Sequence, residues 1–210
     1  MRRLREPINF YTHAVPAFLA IPAAAVLFFR STSSIQSTAA IIYGFCTVVL
    51  FSISAMYHGY PQTPSQIRFW QKADHCCIYL MIAGSYTPTT LLVFDGETRW
   101  GLFGLVWAIA LIGCLLKMTN HLQNKGVSLA IYISMGTLIA PFINQVAAKL
   151  SLDAALWMIG GGLFYATGTI FYYKDRAINK YVHTHEIWHL FVNAGALAHY
   201  YYNYTYLFGH

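Results

Sequence analysis

Seven stretches of about 20 mostly apolar residues, near 10–29, 38–58, 75–94, 100–118, 127–147, 154–173 and 186–207, leave almost no chain for anything else. Backbone in lipid must satisfy its hydrogen bonds within the segment, so runs of this length are expected to be helices. With 57% hydrophobic residues, 10% charged residues and a mean hydropathy of +0.47, the 210 residues are too apolar for an ordinary water-soluble globule. The expected fold is therefore all-α, one integral membrane bundle of seven transmembrane helices occupying 1–210. The first run is too long for a removable leader and shows no cleavage site.

Orientation follows from the basic residues. Arg2, Arg3, Arg5, Arg68, Lys72, Lys117, Lys125, Lys174, Arg176 and Lys180 fall on the side of the N-terminus, against Arg30, Arg99 and Lys149 on the other. The positive-inside rule then puts the N-terminus in the cytoplasm and, after seven crossings, the C-terminus outside, as in a multi-pass protein of the inner cell membrane. The net charge of +6 and pI near 9.1 reflect this asymmetry and an attraction to anionic lipid, with no case for a nucleic-acid partner. The four cysteines, Cys46, Cys76, Cys77 and Cys114, lie in or beside apolar runs without CxxC spacing, so no disulfide framework is expected. Cys76 and Cys77 are close enough to the polar residues below for a soft-metal role, but small-residue packing is the preferred reading. Pro16, Pro22, Pro88 and Pro141 read as tolerated kinks, Gly160, Gly161, Gly162 and Gly168 as close-packing points, and Tyr200, Tyr201, Tyr202, Tyr204 and Tyr206 as an outer aromatic belt.

The polar exceptions to this hydrophobicity share one depth. Ser54 and His58 end the second run, Asp74 and His75 open the third, and His185 and His189 open the seventh, all at the cytoplasmic level. Ser54 and His58 are four apart, as are His185 and His189, so each pair shares a helical face. His185, His189, Asn193 and His199 form one stripe when projected at about 100° per residue. If that stripe faces inward and meets the end of the second helix, His58, His185 and His189 offer three nitrogens, and a tetrahedral zinc keeps its fourth position for water. Asp74 would orient that water and take its proton, and Ser54 would donate a hydrogen bond to the developing oxyanion. His75 is expected to be an interfacial anchor or hydrogen-bond partner. For His13, one turn beyond Asn9, support of a metal ligand and plain helix-end hydrogen bonding both stand. His121, His183 and His210 read as loop or terminal residues.

These motifs resemble the hemolysin III family, the bacterial branch of the progestin and adipoQ receptor superfamily. The resemblance rests on Ser54-x-x-x-His58, Asp74-His75, His185-x-x-x-His189, Glu6-Pro7-x-Asn9-x-x-Thr12-His13 and Ala83-Gly84-Ser85-Tyr86-Thr87-Pro88, and is nearest to members of that branch concerned with membrane homeostasis. It implies a seven-helix bundle with zinc on His58, His185 and His189, an aspartate at Asp74 that holds or deprotonates the zinc-bound water, and a serine at Ser54 beside the metal. Glu6 and Asn9 come with the same signature. The related adiponectin receptors and alkaline ceramidases cleave, or are proposed to cleave, the ceramide amide, which implies a membrane lipid amide or fatty acid as ligand. The chain lacks the long N-terminal extension of the animal receptors, which argues against hormone recognition.

Three other readings stay open. His185-Glu186-x-x-His189 is also an HExxH motif, in which Glu186 would be the general base of an intramembrane metalloprotease, although no further acidic residue follows it to complete that site. Zinc on three histidines would equally serve as a staple in a non-enzymatic sensor or receptor. Intramembrane histidines also suit ion or proton transport, but these cluster at one face without a continuous relay. Protein partners are not legible.

Overall fold

The computed structural model describes residues 4–60, 63–179 and 182–208. Arg2, Arg3, Lys180 and His210, used above for topology or placed in loops, lie outside the described residues. Eight α-helices follow in order: α1 Pro7–Phe29, α2 Ser34–Gly59, α3 Pro64–Val93, α4 Gly96–Met118, α5 Lys125–Thr137, α6 Ile143–Lys149, α7 Leu152–Lys174 and α8 Thr184–Tyr202. A 3-10 turn at Ala140–Phe142 separates α5 from α6, and a π-type turn at Asn203–Leu207 closes α8. Among the described residues the only extended pairing is an isolated bridge between Ala177 and His183.

Among the described residues, six segments are long and apolar enough to cross a membrane: α1, α2, α3, α4, the 25 residues from α5 through α6, and α7. The seventh expected span, α8, is not among them, because His185, Glu186, His189, Asn193 and His199 dilute its apolar residues. It is nevertheless a continuous 19-residue helix packed against α7 and α1.

Two boundaries differ from the apolar runs in a way that matters for the site. Asp74 and His75 are not at the head of the third helix. Thr63 accepts a hydrogen bond from Gln66 N while the Gln66 side chain returns to Thr63 N, and Pro64 occupies the first turn, so α3 starts ten residues before Asp74. Ser65, Gln66, Arg68, Gln71 and Lys72 make that stretch polar but leave it helical, so hydropathy marked entry into lipid and missed the start of the helix. The fifth run, expected as one kinked helix, is broken at Pro141, whose missing N–H cannot continue the ladder. The Tyr86 hydroxyl of α3 accepts from Ile139 N at 2.9 Å and reaches Met135 O and Gly136 O at 2.8 and 2.9 Å, so a neighbouring helix satisfies the backbone freed at the break.

The chain ends of the helices sort into two groups. At one end Arg5 N and Glu6 N donate to Gly59 O and His58 O, Lys72 reaches Met118 O, and Arg176 O accepts from Thr184 N. At the other, Arg30 holds Phe208 O, and Lys149 pairs with Asp95. Tyr202 is 2% exposed and its hydroxyl is bonded by Thr89, so it belongs to the core rather than to an aromatic belt. The most enclosed segment is α3, with 67% of its apolar window buried against 17% for α1. Phe18, Phe29, Leu163 and Leu197 instead point outward at 74%, 82%, 60% and 69% exposure, an apolar surface suited to lipid.

Candidate metal centre

Three histidines from two helices meet at the end of the bundle that carries Glu6. One ring nitrogen each of His58, His185 and His189 lies within 4.8 Å of the others, with His58 and His189 at 2% and 1% exposure. Their partners decide which nitrogen is free. The His58 Nδ1–H donates to Glu6 Oε2 at 2.6 Å, which leaves the lone pair on Nε2, and that atom is buried with no partner. Thr12 gives its one hydroxyl hydrogen to Asn9 O at 2.9 Å, so at 2.8 Å from His189 Nδ1 it accepts the imidazole hydrogen, again freeing Nε2. His185 Nε2 is likewise buried and unpartnered. Buried imidazole acceptors facing one another without donors are costly unless a cation joins them. Nitrogens on a tetrahedral zinc sit at about 2.0–2.1 Å, with their other ring N–H held by a carboxylate or hydroxyl. The donor set fits such an ion.

The N-terminal segment positions this arrangement. Backbone bonds from Arg5 and Glu6 to the end of α2 bring the Glu6 carboxylate against His58, and Asn9 Nδ2 donates to the same oxygen at 3.1 Å. Burial alone would raise the Glu6 carboxyl. The hydrogen bonds from His58 and Asn9 and the charge of Arg5 outweigh it and hold the group well below the usual carboxylate range. Asp74, three turns into α3, faces Ser54 and His58 from the third side, and all three line the same cavity.

The other expected residues divide. The His13 ring stacks on His189 at 3.7 Å and 11°, with both nitrogens buried and unpartnered, so it packs against the ligand set instead of capping a helix end. His75 Nε2 pairs with the Tyr172 hydroxyl at 3.1 Å and stays outside the trio. Glu186 accepts from His183 N at 2.6 Å as part of the α8 capping box. The polar stripe of α8 splits, because Asn193 donates to Thr12 O of α1 while His199 pairs with Met158 O of α7. Cys76 and Cys77 are not in the trio, and all four cysteines are free. The role of Thr12 is not legible from its motif, since a threonine inside an apolar run carries no signal until α8 is packed against α1.

The centre opens on an internal cavity of about 1240 Å³. From His58, Asp74 and His185 it runs past Met81, Ile82 and Leu129 to Met158 and His199. Gly136 on α5 and Gly162 and Leu163 on α7 all line it and are exposed, so the cavity wall is open between those helices.

Fold and site thus define a membrane protein with several spans, carrying a three-histidine cluster able to hold a metal ion. Residues 1–200 match the family described as haemolysin-III related, and the chain belongs to it. It is 31% identical over 194 residues to Hemolysin-3 of Bacillus cereus, covering 91% of this chain and 86% of that protein. It is 32% identical over 204 residues to the monocyte to macrophage differentiation factor of Homo sapiens, covering 95% and 83%. With the Hemolysin-3 homolog of Bacillus subtilis (strain 168) the identity is 30% over 202 residues, covering 94% and 92%.

Proposed function

We propose that the protein is a zinc-dependent hydrolase of a membrane lipid amide, acting in membrane homeostasis. In this reading α8 is a seventh span, the N-terminus is cytoplasmic and the C-terminus outside, and the centre lies near the cytoplasmic face of the inner membrane. The observation that carries it is the cluster of His58, His185 and His189, with one ring nitrogen of each within 4.8 Å of the others and the Nε2 atoms of His58 and His185 buried without a partner, beside Asp74 and Ser54 on the wall of a large cavity. Three protein ligands, where a structural site usually has four, favour chemistry over a staple.

His58, His185 and His189 would hold the ion. Bound there, zinc would lower the pKa of a water to about 7 and polarise the amide carbonyl. Asp74 accepts the proton of the attacking water and returns it to the departing amine, while Ser54 beside it donates its hydroxyl hydrogen to the carbonyl oxygen. Glu6 and Thr12 hold the His58 and His189 rings in register by their Nδ1 bonds. With its oxygen engaged at the α8 start, Glu186 is poorly placed as a protease base.

Metal analysis of the purified protein, followed by a panel of lipid amides, tests the reading. His58→Ala should lose both zinc and hydrolysis, and Asp74→Asn should retain zinc and lose at least about 100-fold in turnover. Full turnover by Asp74→Asn would remove the proposed base, and zinc content without turnover on any amide would leave a structural ion in a sensor.

A further inference from the structure

The cavity has a second polar feature, at the mouth beside the metal centre. Lys117 in the last turn of α4 is 3% exposed yet lines the cavity. Its ammonium donates to Leu122 O at 2.8 Å and to Ser128 Oγ at 2.9 Å. Ser128 gives its own hydrogen to Asn124 O, so both acceptors are neutral and one N–H of Lys117 remains unused. Lys125 lies over the Tyr172 ring at 4.1 Å, and Lys72 spends itself on Met118 O at 3.3 Å; both also line the cavity. Among the described residues no carboxylate is within ion-pair distance of any of these three lysines. The acidic groups on the cavity wall are otherwise placed: Glu6 with Arg5 and His58, Asp74 with Ser54, and Glu186 in the α8 cap, leaving Asp175 as the one whose field reaches Lys125. A buried ammonium bonded only to neutral oxygens is an incomplete arrangement, and an anion completes it.

We infer that the cavity takes an amphiphile with an oxyanion headgroup, phosphate or carboxylate, which Lys117 and Lys125 hold at the mouth. The His75–Tyr172 pair connects this mouth to the centre, since the Tyr172 ring is 6.0 Å from that of His185. Ile78, Met81, Ile82, Leu129 and Ile133 then continue the wall as an apolar slot for a chain. For what is cleaved, the inference rests on the hydrolase reading and narrows its substrate to lipids with a negatively charged head. The binding itself does not need turnover.

The test is lipid retention by the full-length protein, read by native mass spectrometry in mixed micelles of phosphatidylglycerol and phosphatidylcholine, with inorganic phosphate as a competing arm. The wild type should retain the anionic lipid with about tenfold preference, the value of one charge-assisted hydrogen bond. Lys117→Gln, which keeps a donor for Leu122 O, and Lys125→Gln should each bring the preference to within about twofold, and Lys117→Arg should preserve it. Equal retention of both lipids by the wild type, or an undiminished preference in both glutamine variants, overturns the inference. So does complete displacement by millimolar phosphate, which would mark a site for the free ion. The metal-loaded wild type separates the two proposals: retained preference with no hydrolysis of any lipid amide leaves this site standing and removes the hydrolase reading, whereas stripping the metal should abolish hydrolysis and leave the preference intact.

Discussion

Two side chains outside the histidine trio decide how its nitrogens point. Thr12 and Glu6 each take a Nδ1–H, and each therefore turns a lone pair inward. Thr12→Val removes the acceptor at nearly constant volume, and Glu6→Gln weakens a charge-assisted bond to a neutral one. Each is expected to lower zinc affinity by about 10- to 100-fold with helix content unchanged, as losses of outer partners do at metal sites. Competition against a chelator measures this, and wild-type affinity in Thr12→Val would show that the hydroxyl does not set the ring. That His58, His185 and His189 would cluster, with Asp74 and Ser54 beside them, was legible in the sequence, because polar residues in lipid are rare enough to stand out at their spacing. Thr12 and Lys117 were not. A threonine is common in apolar helices, and a lysine at a helix end reads as topology until its burial is known.

Helix existence followed from apolar length, whereas helix ends and breaks depended on chemistry that hydropathy does not weigh: the Thr63 cap for α3 and the Tyr86 hydroxyl at Pro141. Packing between elements is a further level. A Cβ added at Gly44 of α2 would lie 2.5 Å from the Ala24 Cβ of α1, a backbone-bound atom that cannot swing away. Gly44→Ala should destabilise the protein by about 1–3 kcal/mol, measured by denaturation in mild detergent. At the opposite end the α3–α4 connection is fastened to α6 by the Asp95–Lys149 pair, whose hydrogen bond and charge hold the Asp95 carboxyl below its usual range. A carboxyl depressed in the folded state contributes stability above its unfolded value of 3.8 and loses it as the pH falls through and below that value. Thermal unfolding followed downward from pH 5 should therefore show a loss in the wild type that Asp95→Asn lacks. Parallel profiles for the two proteins would mean the pair is too solvated to matter.

At the scale of the whole molecule, the cavity joins features that no single segment announces: the break after α5, the small residues of α7, and three imidazoles delivered by α2 and α8. Its opening is bounded by Gly136 and Gly162, which stand exposed on facing helices and where an added Cβ would meet nothing within 4 Å. Glycines in the sixth run were legible as places of close approach, and that holds at Gly161, whose added Cβ would strike the His199 ring at 2.1 Å. Gly162, its neighbour, points the other way and leaves a gap instead of a contact, a difference of about 100° around the helix that composition cannot reveal. A gap of this kind in the lipid-facing wall is the route by which an acyl chain would reach the centre without leaving the bilayer. Gly162→Trp places a large ring there with no packed neighbour to displace, so thermal stability and zinc content should stay at wild-type values. Retention of lipid, and hydrolysis where it occurs, should fall by about tenfold or more, since an indole occupies the width of a chain. Gly136→Trp on the opposite wall should do the same. Undiminished lipid retention in both variants would place the entrance elsewhere, at the lysine-lined mouth.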